Sequence, residues 1–173
     1  MFKKIAALVL CGAVLFGLTG CGNISSPNSP YNVSRTMLHD IQDCLGNADA
    51  NSLNDLFAEY LFEGYDYVNT HETQSLLNFI DGTIKSFDKE GISSAGAKTN
   101  KDGEYVEYGY NGRFTFVTDK NTQYKVYFSG TAVSVKSPET LGLEKIIIEH
   151  LDDEDISYGV GLHYKNGKFE RWY

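Results

Sequence analysis

The sequence predicts an α+β domain in which N-terminal helices pack on one face of a curved antiparallel β-sheet. Apolar residues recur at three- and four-residue steps up to Gly82 and at every second residue afterwards, a change from helical to strand periodicity. Turn signals such as Asp102-Gly103 and Asn166-Gly167 separate the alternating segments. Helices followed by a meander of strands are typical of the α+β class.

Three helices are expected before Gly82, because apolar residues there mark one helical face in each of three segments. Asn32 or Ser34 is the predicted cap of the first helix, and Thr70 is a candidate cap of the third. The predicted helices cover about 33–48, 49–57 and 72–80, and 63–67 is predicted to be a loop.

Six strands are expected after Gly82. The second is predicted to bend or bulge at Asn111-Gly112, and the last two form a hairpin around Asn166-Gly167. The predicted strands are 83–87, 104–118, 122–135, 141–151, 156–164 and 168–173. The side chains expected to face the helices are Phe114, Phe116, Val126, Phe128, Ile146 and Ile148.

The N-terminus has the features of an export signal. Lys3 and Lys4 precede an apolar run over 5–16, which is shorter than the ~20 residues that a spanning helix needs. Leu18-Thr19-Gly20-Cys21 resembles the bacterial lipobox, which implies cleavage between Gly20 and Cys21 and acylation of Cys21. The alternative is an ordinary secreted protein. The expected location is the extracytoplasmic face of the cell membrane.

This interpretation divides the chain into a signal peptide over 1–20, a tether over 21–31 and one domain over 32–173. The tether is rich in Gly, Ser, Asn and Pro, a composition that favours flexible or extended chain. Loss of the two signal lysines would change the net charge from −8 to −10. A net negative charge of this size repels the negatively charged backbone of nucleic acid, so we expect no nucleic-acid partner.

Cysteine usage argues against disulfides and metal centres. Cys11 leaves with the signal and Cys21 carries lipid, so Cys44 has no partner in the mature chain. Cys44 lies on the apolar stripe of the first helix, where a free cysteine acts as a small hydrophobic residue. We expect no metal site of cysteine type and no cofactor. The acidic run over 149–155 indicates either a solvated loop or a calcium site.

Three sequence segments resemble an uncharacterised family of bacterial lipoproteins, the domain of unknown function 5104. They are Phe79-Ile80-Asp81-Gly82-Thr83-Ile84, the run from Phe114 to Asn121, and Leu141-Gly142-Leu143-Glu144-Lys145-Ile146. The resemblance covers about residues 32–151. It implies a cone-shaped fold similar to nuclear transport factor two and cystatin, and it implies no catalytic residues.

The candidate ligand site lies at the expected mouth of this cone. His150 shares a strand face with Ile146 and Ile148, and Tyr124 is its predicted neighbour. An apolar wall with a few polar groups is typical of ligand pockets. The alternative is a histidine at the edge of the core that binds a backbone carbonyl. The other candidate binding residues are Tyr108, Tyr110 and Tyr127, although tyrosines are also good strand formers.

Three functions are compatible with the sequence. The first is a non-catalytic module that binds a protein, peptide or small ligand at the cell surface. The second is a small hydrolase or isomerase with His150 as general base, which requires an open cavity and an acid within hydrogen-bond reach. The third is an accessory or immunity-type lipoprotein that acts through a protein partner.

Overall fold

Three helices precede an antiparallel meander, which confirms the predicted α+β class. The computed structural model describes residues 29–62, 70–153, 155–165 and 168–171, with side chains as far as Leu162. The helices are α1 (Pro30–Gly46), α2 (Ala50–Asp55) and α3 (Thr70–Asn78), with short 3-10 helices at Glu59–Leu61 and Pro138–Thr140. The strands are β1 (Ile84–Thr99), β2 (Tyr105–Thr118), β3 (Gln123–Ser134), β4 (Gly142–His150), β5 (Ser157–Lys165) and β6 (Lys168–Arg171).

Each strand pairs with the next in chain order, so the sheet contains no crossover. Strands β1 to β5 form a curved, unclosed sheet. Strand β6 pairs only with the end of β5, from Leu162 onward, where β5 extends past β4. This pairing confirms the predicted C-terminal hairpin, although its turn at Asn166-Gly167 lies outside the described residues.

The first helix begins earlier than the sequence predicts. The Ser29 hydroxyl accepts a hydrogen bond from the Asn32 amide, and Pro30 occupies the first turn. Proline suits this position because the amide hydrogen that it lacks would have no partner within the helix. Helical structure therefore begins two residues before the predicted domain boundary at residue 32. The signal peptide, Cys21 and the loop over 63–67 lie outside the described residues.

Strand β1 is much longer than predicted. It continues past Phe87 to Thr99 and forms an outer edge of the sheet. Its pairing with β2 shifts register at four places, and the longest regular run covers only the four residues from Gly91 to Ser94. Many residues of the added part are small and exposed, so they carry no alternating apolar signal.

The predicted bulge at Asn111-Gly112 is wrong. Gly112 pairs regularly with Phe128 in β3, and the β2–β3 shift lies instead between Tyr108 and Gly109. Glycine is required at 112 by packing, because an added Cβ would lie 1.9 Å from Cζ of Phe128.

The core lies between the helices and one face of the sheet. Its strand side includes all six predicted inward residues, each no more than 2% exposed, together with Tyr110, Tyr124, Leu143 and Val160. Its helix side includes Leu38, Ile41, Leu53 and Leu76. In the described part of the chain, no helix is both long and apolar enough to cross a membrane.

Candidate functional site

His150 and Tyr124 face each other across β3 and β4, as the sequence predicts. Their ring centroids are 4.7 Å apart, and Tyr124 is fully buried. The Tyr124 hydroxyl accepts a hydrogen bond from the Asp81 amide at 2.8 Å. This bond fixes the segment between α3 and β1 against the sheet and occupies an atom that a ligand would otherwise meet.

Two phenylalanines complete an aromatic cluster around this pair. The Phe79 ring packs edge-on against His150 at 5.5 Å, and the Phe116 ring stacks on Tyr124 at 4.9 Å. We call Phe79, Phe116, Tyr124 and His150 the aromatic cluster. Its rings contact one another directly, so it is a packed edge of the core rather than the wall of an open mouth.

Phe114, Phe116 and Leu76 fill the space where the cone hypothesis places a ligand, since each is at most 2% exposed. The cavity found nearby is small, about 100 Å³. It lies between the end of α1 and the start of β1, and Leu45, Leu77 and Ile84 are among its lining residues. Typical ligand pockets are roughly 300–1,000 Å³, so this space is too small for most ligands.

The structure separates the other candidate tyrosines. Tyr110 is buried in the core, and its hydroxyl donates a hydrogen bond to the Gly142 carbonyl at 3.3 Å. Tyr108 is half-buried and packs edge-on against the exposed Tyr105. Tyr127 lies on the opposite, outer face of the sheet, beneath the Lys125 ammonium. These residues therefore do not form one binding surface.

Sequence reasoning missed a polar group in β4, at the bulge where the β3–β4 pairing shifts register between Ser129 and Gly130. The Glu144 carboxylate accepts a hydrogen bond from the Thr131 hydroxyl at 3.0 Å. Burial raises the pKa of Glu144 above its usual value, and this hydrogen bond opposes the change. Burial, together with the charge of Glu144, also raises the pKa of Tyr60 and Tyr110. Burial therefore disfavours the charged form of each of these groups.

Replacing Glu144 with glutamine is expected to stabilise the protein at pH 7 and to have less benefit at pH 4. The folded-state pKa of Glu144 lies above the unfolded value, so its contribution to stability is present at low pH and is lost as pH rises through the folded pKa. Glutamine keeps an oxygen that can accept from Thr131 but cannot ionise. Urea unfolding followed by circular dichroism at both pH values measures the difference.

The exposed Glu139→Gln is the matched control for this variant, because it removes the same charge at the surface. The Glu139→Gln protein is expected to show the same dependence of unfolding free energy on pH as the wild type. An E144Q protein with the wild-type pH dependence would contradict a raised Glu144 pKa.

Among the described residues, the outer face of the sheet is more accessible than the face that packs against the helices. In β2, β3 and β4, the side chains that alternate with the core residues are all half-buried or exposed. Tyr127 pairs with Arg113 on one side and Ile147 on the other. Gly159 of β5 pairs with Ile147, so β5 has no side chain at this position. The centre of this face is therefore apolar and shallow.

Basic groups dominate the surroundings of this centre. Lys125 lies over the Tyr127 ring, with its ammonium 4.7 Å from the ring centroid. Lys145 pairs with Ser129 in the next row, and Glu149 pairs with Lys125. Within β2, β3 and β4, three of the four charged residues around the centre are thus basic, and Asp88 of β1 lies beyond Thr115 in the row of Lys125. We call Arg113, Lys125, Tyr127, Lys145 and Ile147 the outer patch.

The remaining sequence candidates do not add a reactive centre. Cys44 is buried as a free thiol, as predicted, and burial raises its pKa to about 11. A thiol with so high a pKa is a poor nucleophile. Among the described residues, no three His, Cys, Asp or Glu side chains are grouped to hold a metal, although this range excludes Glu154 in the acidic run.

Comparison with known proteins supports the resemblance seen in the sequence. No curated protein matches the chain. A family model described as a domain of unknown function, DUF5104, matches residues 40–157. The match begins within α1 and ends at the first residue of β5. It therefore includes the end of α1, all of α2 and α3, and the strands that carry the aromatic cluster and the outer patch. This chain belongs to the DUF5104 family.

Proposed function

We propose that the protein is a lipid-anchored, extracytoplasmic binding module that recognises a protein partner through the outer patch. The observation that carries this proposal is the division between the two faces of the sheet. Aromatic and aliphatic side chains fill the helical side, whereas the outer side of the central strands is partly or fully accessible. A ligand therefore meets a broad, shallow surface, and such a surface suits a macromolecule better than a small substrate.

The same packing argues against the hydrolase hypothesis. A general base needs an open cavity and an orienting acid within hydrogen-bond reach. The described ring neighbours of His150 are instead Phe79 and Tyr124, at the edge of the core. A non-catalytic role accounts for this arrangement without requiring a conformational change.

The composition of the outer patch favours an acidic partner. Arg113, Lys125 and Lys145 surround an apolar centre in a chain whose overall charge is −8. An aromatic anchor with charged groups around it is typical of protein interfaces, and complementary charge adds specificity and association rate. We therefore propose a partner with an acidic surface around an apolar contact.

The anchor is tested by metabolic labelling with an alkyne fatty acid and by mass spectrometry of the protein from its own membranes. The wild type is expected to carry label and to begin at an acylated Cys21. Cys21→Ala is expected to remove the label completely. Cys11→Ala, which changes the other cysteine near the N-terminus, is the matched control and is expected to keep it. Label retained by C21A would overturn the proposed anchor.

The binding surface is tested by placing a photo-crosslinking residue at Ile147 in the full chain in intact cells. An adduct with a protein is expected, and Arg113→Glu with Lys125→Glu should reduce it about tenfold, as for loss of a close charged pair. Lys85→Glu with Lys120→Glu makes the same charge change away from the patch and should have little effect. An adduct that survives the first pair of substitutions would contradict the assigned surface.

A further inference from the structure

The two ends of the sheet differ in polarity. One end consists of the loops 100–104 and 135–141, and we call it the apolar end. The other consists of the loops 81–83, 119–122 and 151–156, and we call it the acidic end. The backbone hydrogen bond from Val135 to Val106 joins the 135–141 loop to the start of β2, and that from Leu151 to Gln123 joins the 151–156 loop to the start of β3.

Exposed apolar side chains are concentrated at the apolar end. Among side chains that the structure describes, six large apolar ones are exposed, and four of these lie at or beside this end. Tyr105 begins β2, Val135 follows β3 and Leu141 precedes β4. Phe62 follows the 3-10 helix that contacts the Pro138–Thr140 turn. Val135, at 67%, is the most exposed of these six side chains.

Charge separates the two ends further. The described loops of the acidic end contain five aspartates and one lysine. The loops of the apolar end contain three acidic residues and two lysines, so they are close to neutral. An anionic surface therefore repels the acidic end much more strongly than the apolar end.

The first helix directs the chain's N-terminal side toward the apolar end. The Gln42 amide donates to Glu90, and a Cβ added at Gly46 would lie 3.8 Å from the Phe87 ring, so α1 runs antiparallel to β1. The helix therefore begins on the side where β1 ends and the apolar end lies. Seven residues lie between Cys21 and Ser29, and the eight steps from one Cα to the other span at most about 29 Å even when fully extended.

We propose that the apolar end rests on the membrane surface and that the acidic end faces away from it. This inference depends on the proposed lipid on Cys21, which would hold the start of α1 close to the bilayer. Tyr105, Val135 and Leu141 would then enter the interfacial region, where tyrosine and aliphatic side chains are favoured. In this orientation the outer patch stands along the side of the domain, where a partner can reach it.

The test uses the full acylated chain in vesicles of phosphatidylglycerol and phosphatidylcholine with brominated acyl chains. A polarity-sensitive fluorophore is attached at Lys136→Cys in the apolar end or at Asp152→Cys in the acidic end. Cys44 is buried and does not compete for the label. Bromine is expected to quench the fluorophore at residue 136 at least about twofold more than that at residue 152.

A variant with Tyr105→Ser and Leu141→Ser should lose this difference while it still floats with the vesicles. Equal quenching at residues 136 and 152 in the parent chain would overturn the orientation but leave the anchor intact. If the fluorophore at residue 136 were shielded from water but not quenched, and a dimer could be crosslinked, the orientation would be overturned. The apolar end would then contact a second copy of the chain. Failure to float would overturn the anchor and the orientation together.

Discussion

Replacing Gly112 with alanine is expected to reduce the free energy of unfolding by about 2–3 kcal/mol, as for other overpacked cores. An added Cβ would lie 1.9 Å from Cζ and 2.4 and 2.5 Å from the Cε atoms of Phe128. The Phe128 ring has little room to move, because Tyr110 and Phe114 pack against it with centroids 6.2 Å away. Thermal or urea unfolding of the variant measures the loss.

Gly91→Ala is the matched control in the neighbouring strand. There the new Cβ would meet only the Arg113 side chain at 3.8 Å, an ordinary contact, so a change within about 0.5 kcal/mol is expected. Phe128→Ala should cost about 3–5 kcal/mol alone, but the G112A/F128A double variant should cost less than the sum. Strict additivity would show that the glycine is not needed to accommodate the ring.

Truncating Tyr124 to alanine is expected to cost about 3–5 kcal/mol, the range for large aromatic residues in a core. The side chain is fully buried and contacts the rings of Phe79, Phe116 and His150. Little of the cavity that truncation leaves can therefore close. Tyr124→Phe keeps the ring and should cost about 1 kcal/mol through the lost bond to the Asp81 amide. Urea unfolding monitored by circular dichroism checks both values.

Tyr127→Phe removes a hydroxyl from the outer face and serves as the control. A change within about 0.5 kcal/mol is expected there, as for most surface substitutions. If Tyr124→Ala cost as little as this control, the aromatic cluster would be a loosely packed rim, and an open site beside His150 would regain support.

Strand alternation was sufficient to predict which residues form the sheet side of the core. Side chains two apart in a strand share a face, so Phe114, Phe116, Val126 and Phe128 could be placed together from spacing alone. The same rule placed Tyr124 opposite His150. Periodicity gives the direction of a side chain but not the volume left around it, so it could not show that the expected mouth is filled.

Irregular pairing accounts for much of what the sequence did not reveal. Two residues, rather than one, separate the buried Leu143 and Ile146 because β4 shifts register between Ser129 and Gly130 of its partner. Glu144 lies within that interruption, where simple alternation gives no guide to its burial. The far half of β1 was missed for another reason, since its small exposed residues resemble a loop in composition.

The interrupted pairing of β1 also affects how copies of this protein tolerate crowding. An edge strand presents free backbone groups that can recruit another chain, and fibril-forming segments usually need six or seven regular residues. In β1, no stretch of regular pairing with β2 exceeds four residues. Each register shift also bends and twists the strand away from a flat template. The β1 edge of the sheet is therefore poorly suited to seeding aggregation, even at high local concentration.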